Sequence, residues 1–280
     1  MEMTDLQAMQ HQLLLQLLQE NPWQPATNYW RAIEIEQVIR HGLCPGRGLD
    51  LGCGDGQIMK LICDCTGTRN LIGLDLDPYE TELARRRQLY RGVVTSSSHQ
   101  LPFASATFDY VFSNSVLEHI GPIDETLAEV SRVLCVRGVF IFTVPGPEFH
   151  ACLARGHGDM DVNYYRQVDQ RCAHLRYWTP QQWSLKLRAA GFEIICESAY
   201  MTMSEVQRWE VLASWTSGWL YRLIRRRMRP IEIQRAMGMR RSRFKLPAKF
   251  AAALAWLMVI RPEAGGSHGC LYIRAKKISS

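Results

Sequence analysis

The chain has 280 residues, 47% of them hydrophobic, and this composition is ordinary for a globular protein with a hydrophobic core. Its length allows one large domain or a domain with an appendage. The net charge of +6 is unevenly distributed, because residues 220–249 hold eleven of the 33 Lys and Arg residues and one of the 27 Asp and Glu residues. The remainder of the chain therefore has a net charge of −4.

The N-terminal region does not have the pattern of a secretory signal, because Met1–Asp5 is acidic and Gln16 interrupts the leucines of residues 13–18. Nine cysteines without such a signal indicate free thiols and a cytoplasmic protein rather than a disulfide-bonded secreted one. Cys63 and Cys65 lie near Cys53, but no second cysteine pair follows at zinc spacing. The sequence therefore predicts no metal site.

Hydrophobic periodicity predicts a helix over residues 5–20, which Asn21-Pro22 ends, and a second helix over residues 28–40. Strands and helices then alternate as far as residue 199. The predicted strands are residues 47–52, 70–75, 92–95, 108–113, 138–144 and 192–199. Such alternation predicts an α/β fold, a doubly wound and mostly parallel sheet with helices on both faces.

A glycine-rich turn follows the first predicted strand, with Gly52, Gly54 and Gly56 at alternate positions and Asp50 two residues upstream. Glycine lets a ligand approach the backbone closely because it has no Cβ atom. Asp75 ends the second predicted strand, where a carboxylate can accept hydrogen bonds from a ribose diol. This arrangement indicates a nucleotide-type cofactor at the carboxyl ends of parallel strands. The G-x-G-x-G spacing differs from the dinucleotide pattern G-x-G-x-x-G.

Four segments in order resemble class I S-adenosylmethionine-dependent methyltransferases of the type 11 family, whose members act on small molecules and lipids. They are the glycine turn at 49–56, the LPF…FDYVF…VLEHI stretch at 101–120, the helix and strand at 125–144, and the YWTPQQW…LRAAGF stretch at 177–192. The resemblance covers residues 28–200 and a last strand at 269–276. It implies seven strands in the order 3-2-1-4-5-7-6, the last antiparallel, with S-adenosylmethionine as cofactor and S-adenosylhomocysteine as product.

The resemblance also implies roles for individual residues. Asp50 would help to hold the methionyl ammonium group, Asp75 would bind the ribose, and Leu76 and Leu101 would sandwich the adenine. Asp75 as a helix N-cap, and the two leucines as core residues, are alternatives. Ser97 departs from the family pattern, since an aspartate there usually accepts a hydrogen bond from the adenine amino group. The other implied cofactor residues are Tyr29 and Arg31 of a helical lid, Cys53, Ser98, Ser113 and Asn114.

Two histidines are candidates for a general base, His119 in Leu-Glu-His-Ile and His174 in Cys-Ala-His-Leu. A histidine base suits deprotonation of a hydroxyl or carbon acid near neutral pH, whereas an amine acceptor would need none. A structural role is the alternative for each. His150 and His157 lie in an insert that follows the fifth strand, where they could reach a substrate.

The domain prediction comprises a helical lid (residues 1–40), a methyltransferase core (41–200 and 269–280) and a basic, aromatic helical insert (201–268). The insert combines the cluster Arg225–Arg229 with four tryptophans and the apolar run 250–260. This composition is typical of a helix in an anionic lipid interface, and the run is too short to span a bilayer. Residues 209–260 are therefore predicted to bind an anionic membrane surface. An acidic carrier protein, nucleic acid and a purely structural surface are the alternatives.

The sequence predicts a methyltransferase that acts on an apolar, lipid-like small molecule presented at a membrane surface. A nucleic-acid methyltransferase, a methyltransferase for a carrier-bound substrate, and a non-catalytic cofactor-binding module are the alternatives. The motif Asn/Asp-Pro-Pro-Tyr of base-amine methyltransferases is absent, so nucleic acid is disfavoured. Whether oxygen, nitrogen or carbon accepts the methyl group is left open.

Overall fold

The computed structural model describes residues 5–153, 162–216, 245–259 and 266–278. The chain divides into two compact units. The first, here called the helical unit, comprises Met1–Glu36, Glu148–Ala173 and Met201–Gly269. The second, here called the sheet unit, comprises Gln37–Pro147, His174–Tyr200 and Cys270–Ser280. The predicted Arg225–Arg229 cluster, Trp219 and His157 lie outside the described residues.

Seven strands form one sheet in the order β3-β2-β1-β4-β5-β7-β6, which confirms the predicted topology. The strands are β1 Gly48–Leu51, β2 Leu71–Asp75, β3 Gly92–Thr95, β4 Phe108–Asn114, β5 Leu134–Pro145, β6 Phe192–Thr202 and β7 His268–Lys277. Strands β1 to β5 pair with one another in parallel, and β7 runs antiparallel to β5. The fold is therefore a mostly parallel α/β sheet, as predicted.

Helices alternate with the parallel strands of the sheet unit. They are α3 Gln57–Thr66, α4 Pro78–Arg86, α5 Ile123–Val133 and α8 Pro180–Ala189, and α2 Pro25–His41 belongs partly to each unit. All four residues of β1 are buried, as are most of β4, because helices cover both faces of a parallel sheet. These strands therefore read as continuous apolar runs in the sequence.

Local sequence signals set the ends of these helices. Gly56 and Gly67 flank α3 in left-handed conformations, with φ of 77° and 75°. The side chain of Asp77 accepts a hydrogen bond from the Tyr79 backbone N–H and caps α4, so the alternative that Asp75 is the N-cap is wrong. Thr179 begins α8 with a reciprocal capping box.

Strand β5 begins at Leu134, four residues before the predicted start at 138. Leu134 pairs with Phe108, and the register then shifts so that Tyr110 pairs with Val139. Arg137 lies within this irregularity with φ of 67°. The extra residues of such a bulge interrupt the alternation of buried and exposed side chains. The first part of the strand was therefore not visible in the hydrophobic pattern.

The helical unit contains α1 Asp5–Glu20, α6 Phe149–Leu153, α7 Val162–Cys172, α9 Met203–Trp215 and α10 Ala248–Met258. Its centre is an aromatic cluster in which Trp30 lies 5.0 Å from Trp209 and 5.4 Å from Phe149, measured between ring centroids. Helix α10 packs against α1. Among the described residues, no helix is both long enough and apolar enough to cross a membrane.

Two glycines that begin parallel strands give a matched test of core packing. A Cβ atom on Gly48 would lie 2.2 Å from Cζ of the buried Tyr110 ring, whereas a Cβ atom on Gly92 would meet nothing closer than Ile72 Cδ1 at 3.7 Å. We expect Gly48→Ala to lower the free energy of unfolding by about 1–3 kcal/mol, because the ring must move. We expect Gly92→Ala to change it by less than about 1 kcal/mol. Urea denaturation measures both, and equal effects would contradict the packing around Gly48.

Candidate active site

The glycine loop connects β1 to α3 and is held against the end of β2. The backbone N–H groups of Gly52 and Cys53 both donate to the Leu74 carbonyl, at 2.7 and 2.9 Å. Gly52, Gly54 and Gly56 all have positive φ, at 80°, 52° and 77°. This conformation is accessible to glycine at no steric cost. The three glycines therefore form the loop that the sequence predicted.

The surface of the loop is open at Gly54. A Cβ atom built there would meet nothing within 4 Å, whereas one at Gly52 would lie 2.4 Å from Val116 Cγ2. Gly52 is therefore required by packing inside the protein, while Gly54 lets a ligand approach the backbone.

Asp75 joins the end of β2 to this loop. Its Oδ2 accepts from the Gly54 backbone N–H and its Oδ1 accepts from the Asp77 backbone N–H, both at 2.9 Å. A carboxylate offers about four acceptor positions. Asp75 can therefore orient the loop and still accept hydrogen bonds from a ribose diol.

Leu76 and Leu101 have different environments. Leu76 is 71% exposed directly after Asp75, so it offers an apolar surface for a planar ring. Leu101 is buried in the core of the sheet unit, and its N–H donates to Glu129 Oε2 at 2.7 Å. The structure thus supports the core alternative for Leu101.

Two serines follow the end of β3. The Ser97 hydroxyl lies 2.7 Å from His99 Nδ1, and the Ser98 hydroxyl lies 3.0 Å from Thr126 Oγ1. A hydroxyl is both donor and acceptor. Either serine can therefore accept a hydrogen bond from an adenine amino group, which stays a prediction.

Asp50 is buried in β1 beneath the loop, and its Oδ2 accepts from the Tyr90 hydroxyl at 2.6 Å. The pKa of Asp50 is raised to about 7, and burial is the largest cause. The Tyr90 hydrogen bond lowers this pKa, and the charge of Asp75 raises it. The Tyr90 ring also lies 3.0 Å from the position of a Cβ atom on Gly56. Tyr90 was missed in the sequence, because no local pattern links it to Asp50.

Cys53, the middle residue of the loop, is buried, and burial raises the pKa of its thiol. The thiol is therefore neutral near pH 7, and its Sγ lies 3.1 Å from the position of a Cβ atom on Gly73. Cys53 thus fills the space between the loop and β2.

Ser113 and Asn114 end β4, as predicted. Ser113 is fully buried, and its hydroxyl donates to the Leu51 carbonyl at 3.0 Å, which links β4 to β1. The Thr143 hydroxyl donates to Asn114 Oδ1 at 3.1 Å. The Ser113 hydroxyl therefore stabilises the pairing of β4 with β1. Asn114 is the last residue of β4 and so lies nearer to the glycine loop end of the sheet.

The structure brings His119 and His174 together, with ring centroids 5.4 Å apart. His119 belongs to a 3₁₀ turn, Leu117–His119, that follows β4. Nδ1 of His174 lies 2.9 Å from the Tyr177 hydroxyl. The two candidate bases therefore share one site in the sheet unit.

Tyr29 and Arg31 lie in α2 within the helical unit. Tyr29 is buried, and burial raises the pKa of its hydroxyl. Arg31 forms an ion pair with Glu34. His150 of the same unit lies 2.8 Å from Asp169 Oδ1. The predicted role of Tyr29 and Arg31 in covering a cofactor stays a prediction.

The strand order and the glycine loop are those that the resemblance to class I methyltransferases implied. Residues 49–142 match the family model described as "Methyltransferase domain". Over these residues the chain is therefore similar to the type 11 methyltransferase family, as the sequence motifs predicted.

Curated relatives match part of the chain. A malonyl-[acyl-carrier protein] O-methyltransferase from Legionella pneumophila is 34% identical over 135 residues, which are 44% of this chain and 48% of the relative. A sterol 24-C-methyltransferase from Schizosaccharomyces pombe is 33% identical over 110 residues, 37% of this chain and 29% of the relative. The matches thus span less than half the length of these relatives.

A solved structure shares the fold over most of the chain. The geranyl diphosphate C-methyltransferase from Streptomyces coelicolor A3(2), solved with Mg²⁺, geranyl diphosphate and S-adenosyl-L-homocysteine, superposes with a TM-score of 0.57. It is 13% identical, and the match covers 91% of this chain and 83% of that enzyme. At this identity the likeness shows the fold alone.

The buried carboxyl group of Asp50 should make stability depend on pH. Its pKa in the folded protein is about 7, above the unfolded value of about 4. The folded state therefore keeps a proton that the unfolded state loses, and stability should fall as pH rises from 4 to 7, by at most about 1.4 kcal/mol per pH unit. Asp50→Asn removes this titration, so its stability relative to the unchanged protein should rise over the same interval.

Urea denaturation at pH 5, 6, 7 and 8 measures this difference. Tyr90→Phe is the matched control, because it keeps the carboxyl group and removes only the hydrogen bond that lowers its pKa. The loss of stability should then extend to higher pH. A constant difference between Asp50→Asn and the unchanged protein across this range would show that Asp50 is ionised throughout.

Proposed function

We propose that this protein is an S-adenosylmethionine-dependent methyltransferase that acts on an apolar, lipid-like small molecule. The observation that carries the proposal is the hydrogen bond from the Gly54 N–H to Asp75, which joins an open glycine loop to an acidic strand end. The methyltransferase family of residues 49–142 supports the same reaction.

The residues of the site fit this cofactor. The loop around Gly54 is open to close approach, Asp75 has acceptor capacity for the ribose, and exposed Leu76 provides an apolar face for the adenine. When bound, S-adenosylmethionine supplies an electrophilic methyl group on a sulfonium. The role of the protein is to hold the acceptor atom in line with that methyl group, which contributes most of the rate enhancement in such a reaction.

His119 and His174 are the proposed proton acceptors for a hydroxyl or carbon acid. The Tyr177 hydroxyl lies 2.9 Å from Nδ1 of His174, so Nε2 is the nitrogen that would accept a substrate proton. Hydrogen bonding at one ring nitrogen fixes the role of the other in this way.

The Asp75 assignment has a direct test. We expect Asp75→Ala to weaken binding of S-adenosylmethionine by about 10- to 100-fold, because hydrogen bonds to a charged group are each worth about 1.5–3 kcal/mol. Asp109→Ala is the matched control, because Asp109 also accepts a hydrogen bond from a backbone N–H group, that of Arg47 at 2.7 Å. Asp109 lies near the start of β4, at the opposite end of the sheet from Asp75. Calorimetry measures both, and unchanged binding by Asp75→Ala would refute the ribose assignment.

The relatives support an apolar or carrier-bound acceptor. By name, the Legionella protein acts on malonyl-[acyl-carrier protein] and the Schizosaccharomyces protein on a sterol. The acyl-carrier relative makes a carrier-bound substrate the second candidate. Methyl transfer to free lipids and to acylated carrier protein, compared in one assay, would distinguish the two.

Helix α10 supports presentation of the acceptor at a membrane surface. Its small residues Ala251 and Ala255 are buried, whereas Phe250, Trp256 and Leu257 are 68%, 69% and 63% exposed. Lys249 adds a positive charge to this exposed face. Aromatic and aliphatic side chains beside basic residues are typical of helices that lie in an anionic lipid interface.

Vesicle flotation tests the membrane proposal. The intact protein should float with vesicles that contain phosphatidylserine at low salt, and Phe250→Ser with Trp256→Ser should reduce the bound fraction several-fold by removing buried apolar area. The matched control is Leu185→Ser, because Leu185 is 70% exposed on α8 of the sheet unit. Failure of the intact protein to float would overturn the membrane proposal and leave the methyltransferase proposal unaffected.

A further inference from the structure

Three potential metal ligands converge beyond the end of β4. Glu118, His119 and His174 each offer one ligand atom, and these atoms all lie within 4.8 Å of one another. Nε2 of His119 is 3.9 Å from Oε1 of Glu118. The Glu118 side chain is 1% exposed and that of His119 is 38% exposed. The cluster therefore combines a buried carboxylate with an imidazole that is accessible from outside.

Hydrogen bonds hold the two segments that carry these ligands. The Leu175 backbone N–H donates to the Glu118 carbonyl at 2.9 Å. The Arg176 guanidinium donates to the carbonyls of Leu117 and Ile120, on either side of Glu118 and His119. These bonds to backbone carbonyls hold the two segments side by side.

The orientation of His174 matches that of a metal ligand. Its Nδ1 lies 2.9 Å from the Tyr177 hydroxyl, so Nε2 is the nitrogen that would coordinate a metal ion. Metal-binding histidines commonly use their second nitrogen for such an outer hydrogen bond, which fixes the ring.

We propose that Glu118, His119 and His174 form a binding site for a divalent first-row transition metal ion such as Zn²⁺. Two imidazoles and one carboxylate form a common ligand set for such ions, with positions left open for water or substrate. Metal–nitrogen bonds of about 2.0–2.1 Å would require the ligand atoms to approach to about 3.4 Å, so side-chain adjustments of about 1 Å suffice.

Charge near the site both supports and limits this binding. Arg176 interacts electrostatically with Glu118, and Asp124 also acts on Arg176. A neighbouring guanidinium favours the ionised carboxylate that a metal needs, but it also repels the cation. We therefore expect the imidazoles to supply most of the affinity, and Glu118 to contribute less than in a site without Arg176.

A metal ion at this site would help to deprotonate the acceptor, and this inference rests on the proposed function. A metal lowers the pKa of a bound hydroxyl, so an acceptor alcohol or enol would lose its proton to solvent before it attacks. Its oxygen would form a bond to the methyl carbon as the carbon–sulfur bond breaks, leaving neutral S-adenosylhomocysteine. His119 and His174 would then act as ligands and not as general bases.

Metal binding by the full chain tests the proposal without any assay of methyl transfer. The protein is stripped with a chelator and titrated with Zn²⁺ in equilibrium dialysis, and with Co²⁺ while its visible absorption is recorded. We expect one equivalent to bind, with the absorption of a four- or five-coordinate Co²⁺ ion. We expect His174→Ala and His119→Ala each to weaken binding at least about 10-fold.

His99→Ala is the matched control, because His99 is an exposed histidine of the same unit. The metal affinity of this variant should equal that of the unchanged protein. Glu118→Gln keeps the shape of the side chain and removes its charge, and we expect a smaller loss. Circular dichroism and calorimetry with S-adenosylmethionine check that each variant folds and retains its cofactor site.

Three results would overturn the proposal: no binding by the unchanged protein, equal binding by the His119 and His174 variants, or a Co²⁺ spectrum with sulfur ligation from the nine cysteines. None of these results would affect cofactor binding. Loss of S-adenosylmethionine binding in the unchanged protein would instead refute the proposed function, so the two failures are distinguishable.

Discussion

The candidate site depends on the hydrogen bond between the Gly54 N–H and the Asp75 carboxylate. The parallel pairing of β1 with β2 places the two strand ends side by side, and this bond joins the loop after one to the acid that ends the other. A second residue also stabilises the loop, because Tyr90 donates a hydrogen bond to Asp50 and its ring packs against Gly56. The loop is thus fixed by backbone and buried polar contacts, and a cofactor would meet a surface that is already formed.

The sequence predicted the sheet well because the central strands β1 and β4 are buried on both faces. Continuous apolar runs located β1 to β4 within one or two residues, and the resemblance to the type 11 family supplied the strand order, which spacing alone does not determine. The start of β5 was missed because a bulge at residues 135–138 breaks the pattern of burial. Asp77 caps α4 in place of Asp75, since the strand extends to Asp75 and the helix begins only at Pro78.

The sequence predicted the site residues that lie close together in a local motif. It did not predict the residues that reach the site through tertiary contacts. The glycines and Asp75 lie within 25 residues of each other and were found by spacing. Tyr90 is 40 residues from Asp50, and no periodicity connects a hydroxyl to a buried carboxylate at that separation. Glu118 was not predicted as a site residue, and the reason is similar. Adjacent Glu and His residues indicate a site only once the fold places His174 beside them.

The same division separates the proposed cofactor site from the proposed acceptor site. The family match ends at residue 142, so it includes the glycine loop, Asp75, Glu118 and His119 but not His174. The matched segment therefore contains the loop and the acidic strand end that are proposed to bind the cofactor. The cluster that includes His174, and the exposed face of α10, depend on parts of the chain beyond the match. One hydrogen bond joins Asp75 to the loop, and a different set, from Leu175 and Arg176, holds the segment that carries His174.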